Sequence, residues 1–156
     1  MSAVKTFDPA GWDLAYALSL KGNRTISVCI PCRNEAQTVG DLIRMIEPTL
    51  VSTLVDELIV LDDDSSDGTD EIAAEAGATV VPVDFVHFFH GAARGKGNAL
   101  WASLLASAGD IVVWIDGDIT SFTTDWIVRL VVPLLIDDQL GLVKANYERP
   151  SHLGGG

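Results

Sequence analysis

The sequence predicts an α/β fold built on a mainly parallel sheet, and three observations carry that prediction. Short runs rich in β-branched residues alternate with segments whose apolar residues recur at helical spacing. The chain has 156 residues, 48% of them hydrophobic, with a mean hydropathy of +0.30, which suits one domain with one sizeable core. Three of the strand-like runs end in polar clusters, and the carboxyl ends of strands are where open α/β sheets bind ligands.

The elements follow in order. Residues 1–24 read as an N-terminal helical segment. Thr25 to Ile30 is the first strand, and Glu35 to Leu50 is a helix carrying Val39, Leu42, Ile43 and Ile46 on one face. Leu58 to Leu61 is strand-like, Asp67 to Ala76 helical, and Ala78 to Val83 strand-like again. A glycine-containing loop is expected from Asp84 to Gly97, then a helix at Asn98 to Ala108. Ile111 to Ile115 is the next strand, Thr124 to Ile136 a helix despite Pro133, and Leu142 to Tyr147 the last strand. Strands alternating with helices imply right-handed crossovers and helices on both faces of the sheet.

Charge narrows the partners. Ten Lys+Arg against 22 Asp+Glu give a net charge of −12, which disfavours nucleic acid and anionic membrane, since both attract basic surfaces. Any bound phosphate must therefore be held locally, by amides, a lysine or a metal. No apolar run approaches the roughly 18 residues of a spanning helix, and the N-terminus lacks the basic-then-apolar order of a signal peptide, so a cytoplasmic location is expected.

The three polar strand ends are Pro31-Cys32-Arg33-Asn34-Glu35, the run Asp62 to Thr69, and Asp116-Gly117-Asp118. The last follows a run that reads as buried, and a protein interior tolerates ionised carboxylates only when they are paired or bound to a cation. Arg94-Gly95-Lys96-Gly97 places cations among glycines at a helix entrance. Carboxylates for a divalent metal, a lysine and a helix N-terminus together fit a metal-bound diphosphate.

Each cluster alone also has a plainer reading. The acidic run suits a turn and helix cap, and Asp116-Gly117-Asp118 suits the cap of the next helix. Asp63, Ser65, Asp67 and Gly68 imitate a calcium loop, but its twelfth position is Ala74 and not the bidentate Glu. An NTPase phosphate loop fails at His90 and Gly97, and the dinucleotide fingerprint fails at Leu100. Cys29-Ile30-Pro31-Cys32 reads as a core residue and a loop thiol in preference to a redox pair, and no second cysteine pair supports zinc. His87 and His90, set among Phe85, Phe88 and Phe89, are expected to pin the long loop by packing. Trp101, Trp114 and Trp126 are expected to be core aromatics.

In their order, these pieces resemble the nucleotide-sugar half of glycosyltransferases with the GT-A fold, a Rossmann-like three-layer sandwich. Within that group, GKGNALWASLLASAGDIVVWIDGDI followed by LVKANYERP is most similar to the glucosyl-3-phosphoglycerate synthases and their mannosyl relatives. The resemblance implies a UDP-glucose donor, a 3-phosphoglycerate acceptor and a Mg²⁺ or Mn²⁺ cofactor. It implies that Pro31, Cys32, Arg33 and Glu35 surround base and ribose, with Asp63 closing over the base. It implies that Lys96 contacts the nucleotide, Asp118 binds the metal, and Asp116 and Gly117 lie against ribose or sugar, with Asp116 and Asp118 as the catalytic pair. A homodimer is among the assemblies it allows.

Against the family pattern, Gly117 stands where relatives often carry Ser or Asp, Asp64 where glycine is common, and Cys32 and Arg33 where residues are smaller or apolar. Family members are about twice this long, so residues 25–150 are expected to be the nucleotide-sugar domain and 151–156 the start of an acceptor region. GDP-mannose with the same acceptor, a polyprenyl-phosphate acceptor, and a non-catalytic nucleotide-binding module remain as alternatives.

Overall fold

The computed structural model describes residues 4–91 and 96–145. Ten elements follow in chain order: α1 (Leu14–Lys21), β1 (Ile26–Cys32), α2 (Val39–Leu50), β2 (Glu57–Asp62), α3 (Thr69–Glu75), β3 (Thr79–Pro82), α4 (Val83–His90), α5 (Lys96–Ala106), β4 (Ile111–Trp114) and α6 (Asp125–Ile136). The four strands form one parallel sheet in the order β3-β2-β1-β4. The α/β class and the parallel sheet expected from sequence are present.

Strand order follows from burial on both faces. Ile26, Val28, Ile30 and Cys32 of β1 alternate with Ser27 and Cys29, and every one of them is buried, as suits an interior strand. Its even-numbered residues pack with Leu58, Val60, Ile111 and Val113 against the apolar faces of α2 and α6. On the other face Cys29, Ile59 and Leu61 meet Val83 and Val86 of α4 and Ala99 and Ala102 of α5. In α2 the buried apolar side chains are Val39, Leu42, Ile43, Ile46 and Leu50, the stripe expected at a period of 3.6.

The helix ends are fixed by specific groups. Asp13 accepts the Tyr16 amide at 2.8 Å and so caps α1. The Arg24 guanidinium donates to the carbonyls of Leu134 and Leu135, at 3.2 and 2.8 Å, and of Leu20 at 2.9 Å. One cation thus satisfies otherwise orphaned carbonyls at the ends of α6 and α1. At the amino edge of the sheet, the Gly109 amide donates to the buried Ser27 hydroxyl at 2.9 Å. A Cβ at Gly109 would collide with that oxygen, so only glycine permits the approach.

Several expectations are corrected. The segment read as a loop from Asp84 opens with α4, because Val83 and Val86 recur at helical spacing and bury against the sheet. The same helix turns Phe85, Phe88 and Phe89 outward, Phe88 being 83% exposed, while His87 bonds the Asn98 side chain and His90 meets Trp101 edge-on, so the two histidines, and not the phenylalanines, tie α4 to α5. Trp101 and Trp126 are each 39% exposed, half out of the core. Trp114 is partly buried, and its indole donates to the Ser103 hydroxyl at 2.8 Å, tying β4 to α5. Leu142 to Ala145, expected to begin a strand, pair with no strand among the described residues, and apolar alternation without a ladder partner makes none. Asn146 and Tyr147, the rest of that expected strand, lie outside the described residues, as do 151–156. No helix of the described residues is long and apolar enough to cross a membrane.

Candidate active site

The strand order reverses at β1. The chain runs outward from β1 through β2 to β3, then returns to place β4 on the opposite side of β1. In a parallel sheet this switch opens a crevice between the carboxyl ends of the two strands that diverge, here β1 and β4. The residues at that crevice are Pro31 to Glu35 and Asp116 to Asp118.

The loop after β1 and the loop after β2 are laced into one rim. Cys32 and Asp62 are register partners, and the Asp63 amide donates to the Cys32 carbonyl at 2.9 Å. Asn34 takes a left-handed backbone (φ 57°), which its short polar side chain tolerates. That turn aims its amide at the Ser65 hydroxyl, 2.9 Å away, while its side-chain oxygen accepts the Ser66 amide at 2.9 Å. The Glu35 amide donates to the Thr69 hydroxyl oxygen at 2.8 Å, and the Ala36 amide to the Asp67 carboxylate at 3.1 Å. Asp67 also accepts the Thr69 hydroxyl at 2.6 Å and the Thr69 amide at 3.1 Å. The Thr69 hydroxyl bond above all, with the two amides, holds the Asp67 carboxyl below the ordinary carboxylate range. Arg33 and Asp63 pair across the mouth of the rim at 3.5 Å.

This lacing decides between readings of the acidic run. Asp67 is committed to backbone and hydroxyl donors, and Asp62 accepts the Ser65 amide at 3.3 Å with its other oxygen buried and unpartnered. The run is loop architecture, and the calcium-loop reading has no support. Among the described residues no group of three or more His, Cys, Asp or Glu is arranged to hold a metal.

Asp116-Gly117-Asp118 meets the rim at Cys32. Beyond β4 the Ile115 amide still donates to the Cys29 carbonyl at 3.2 Å, and then the chain turns with Gly117 buried and both acids exposed. A Cβ on Gly117 would lie 2.7 Å from the Cys32 sulfur and 3.4 Å from Glu35 Cγ. The side chains at positions 32 and 117 therefore compete for one volume. The sulfur at 32 occupies the volume that a side chain at 117 would need. The Gly117 carbonyl in turn accepts the Thr38 hydroxyl at 2.7 Å.

Cys32 was expected as a loop thiol. It is instead the last residue of β1 and 3% exposed, because the ladder to β2 extends two residues past the expected strand end. Its thiol is pushed up to about 12, first by burial and then by the carboxylates of Glu35, Asp62, Asp118 and Asp67. Four acids acting on one thiol mark a strongly negative edge of the sheet. A diphosphate approaching it alone is repelled, and a dication is attracted. The exposed carboxylates of Asp116 and Asp118 are oxygen donors of the kind a hard divalent cation takes.

Helix α5 ends at Ala106 and the chain reaches the amino edge of the sheet at Gly109, beside Ser27. Its first residue, Lys96, accordingly starts at the carboxyl edge, the same edge as Asp63 and Asp118. The Lys96 side chain and the Arg94-Gly95 stretch lie outside what is described. Asn34, Asp67 and Thr69 lie within the polar clusters expected from sequence but had no individual role there, and Thr38 lay outside them. Thr38 immediately precedes α2 and looks like its N-cap, yet its hydroxyl makes no cap bond and goes to Gly117.

Residues 27–149 match glycosyl transferase family 2. The glucosyl-3-phosphoglycerate synthase of Mycolicibacterium paratuberculosis is 44% identical over 152 residues, 97% of this chain and 46% of that protein. Crystal structures of the Mycobacterium tuberculosis glucosyl-3-phosphoglycerate synthase superpose closely. The complex with Mn²⁺, UDP-glucose and phosphoglyceric acid gives a TM-score of 0.78 at 44% identity, covering 83% of this chain and 46% of that one. The complex with Mg²⁺ and UDP gives 0.76 at 45% identity, covering 80% and 44%. The chain thus spans about half the length of these relatives. Its parallel sheet, its crevice at the strand switch and the extent of this match show that the chain belongs to glycosyl transferase family 2.

Proposed function

We propose that the chain is the donor-binding part of a hexosyltransferase that moves glucose from UDP-glucose to 3-phosphoglycerate. The observation that carries this reading is the convergence of the three polar strand ends on one edge, with Gly117 packed on Cys32 between exposed Asp116 and Asp118. Its chemistry is supported by the relatives, whose crystals hold UDP-glucose, phosphoglyceric acid and Mn²⁺.

In this reading Pro31, Cys32, Arg33 and Glu35 line the nucleoside, and Asp63, steadied by Arg33, closes over the base. Lys96 at the start of α5 meets the diphosphate with the helix N-terminus behind it. Asp116 and Gly117 lie against ribose or sugar. Asp118 would hold the dication, which would supply countercharge to the diphosphate and to the departing UDP. The protein's part is to fix Asp118, exclude water from the crevice and orient the sugar's reacting carbon toward the acceptor. The division into residues 1–24, 25–150 and 151–156, a cytoplasmic location and a homodimeric whole enzyme belong to the same proposal.

Calorimetric titration of UDP-glucose, GDP-mannose and UDP, each with Mg²⁺ and with EDTA, tests it. Metal-dependent binding of the two uridine nucleotides is expected, with GDP-mannose at least about tenfold weaker, a difference of roughly 1.4 kcal/mol. Preference for GDP-mannose moves the reading to the mannosyl relatives. Absence of any nucleotide binding removes it.

A further inference from the structure

We infer that Thr38 is a positioning residue that couples nucleotide binding to metal binding; the inference rests on the reading of Asp118 as the metal ligand. Thr38 stands at the N-cap of α2, where a threonine ordinarily accepts an amide of the first helical turn. Here it makes no such bond. Its hydroxyl has one proton and two carbonyls within reach, Gly117 at 2.7 Å and Glu35 at 3.4 Å, and the shorter, stronger bond is the one to Gly117.

That bond falls in the loop that follows β4. Past Ile115 the chain leaves the sheet ladder, and glycine at 117 adds conformational freedom between the two acids. The orientation of the Gly117 carbonyl sets the plane of the peptide that joins it to Asp118, and hence the direction of the Asp118 side chain. The Cys32 sulfur closes one approach to Gly117, and the Thr38 hydroxyl fixes its carbonyl. A carboxylate that takes part in metal binding does so best when it is held in place before the metal arrives.

Thr38 also belongs to the nucleoside side. Its amide and that of Val39 donate to the Glu35 carbonyl at 3.1 and 3.0 Å, and the Glu35 amide is held by Thr69. One residue therefore joins the loop proposed to line the nucleoside to the loop proposed to hold the metal. Any ordering of one loop lowers the cost of ordering the other, and such coupling is reciprocal.

The test is UDP affinity of the 156-residue chain measured in Mn²⁺ and in EDTA, the ratio of the two being the coupling. Thr38→Val keeps the shape and removes the proton. It is expected to cut the ratio about five- to tenfold, the value of one hydrogen bond, while affinity in EDTA stays within about twofold. Thr38→Ser restores the hydroxyl and is expected to restore the ratio. Thr38→Ala gives the same reading should the valine chain fail to fold, as circular dichroism will show. A wild-type ratio retained in both hydroxyl-less variants overturns the inference, as does equal loss in Mn²⁺ and EDTA. Wild-type chain that binds UDP equally in both buffers overturns the proposed function and this inference together.

Discussion

At the scale of single residues, the exchange of volume between Cys32 and Gly117 carries the sharpest consequence. Gly117→Ala places a methyl group 2.7 Å from the buried Cys32 sulfur and 3.5 Å from the Pro31 carbonyl oxygen. Overpacking of this kind costs about 1–3 kcal/mol, read as a lowered unfolding midpoint in urea. Cys32→Ala removes the obstructing atom, so the double variant is expected to recover most of the loss, a coupling that a double-mutant cycle isolates. Additive losses in that cycle would mean that the two residues do not share the volume. The sequence showed Cys32 and Gly117 separately. It did not show that they share a volume, because strand register, which sets Cys32 beside Gly117, is a property of pairing and not of local composition.

At the scale of elements, both edges of the sheet are held through carboxylates that lose their proton readily. Asp67 is held below the ordinary range by the Thr69 hydroxyl and by the amides of Ala36 and Thr69. Asp110 is lowered by the amide and hydroxyl of Thr25, where β1 begins. Burial raises Asp56, but the Lys21 and Ile26 bonds outweigh it and the net shift is downward. Each of these groups binds its proton more weakly in the folded chain than in the unfolded one. Their stabilisation is therefore full above the ordinary value of 3.8 and is lost as pH falls through the lower folded values. Urea unfolding midpoints are expected to be flat from neutral pH to about pH 5 and to fall below pH 4. Asp67→Asn is expected to lower the midpoint at pH 7 and flatten the acid limb, and an acid limb of unchanged steepness would contradict the role given to Asp67.

Most elements were legible because their signal is local. The stripe of α2 and the β-branched run of β4 announce themselves through periodicity. Helix α4 did not, since Val83 and Val86 are outnumbered by the aromatics around them, and a short amphipathic helix with three outward phenylalanines reads as an apolar jumble. The stretch from Leu142 failed for the opposite reason. It has strand composition, and Leu142 to Ala145 have no ladder partner among the described residues.

At the scale of the whole molecule, topology turns scattered motifs into one site. Clusters some thirty and fifty residues apart converge because a parallel sheet brings all its carboxyl ends to one edge, and the reversal at β1 opens a crevice between two of them. This much followed from the alternation of strands and helices. The partners that hold the site in shape, Asn34, Thr38, Asp67 and Thr69, did not. They resemble ordinary turn and cap residues, and their bonds run between loops that the sheet brings together. The net charge of −12 then sets the electrostatic problem, since a doubly charged phosphate ligand is admitted to such a surface only with a countercharge. The most direct measurement is UDP affinity with and without Mg²⁺ in the wild-type chain and in Asp118→Ala. The expected result is a wild-type affinity that falls at least about tenfold in EDTA, and a variant whose affinity no longer depends on metal. The contradicting result is an Asp118→Ala chain that gains as much affinity from Mg²⁺ as the wild type does.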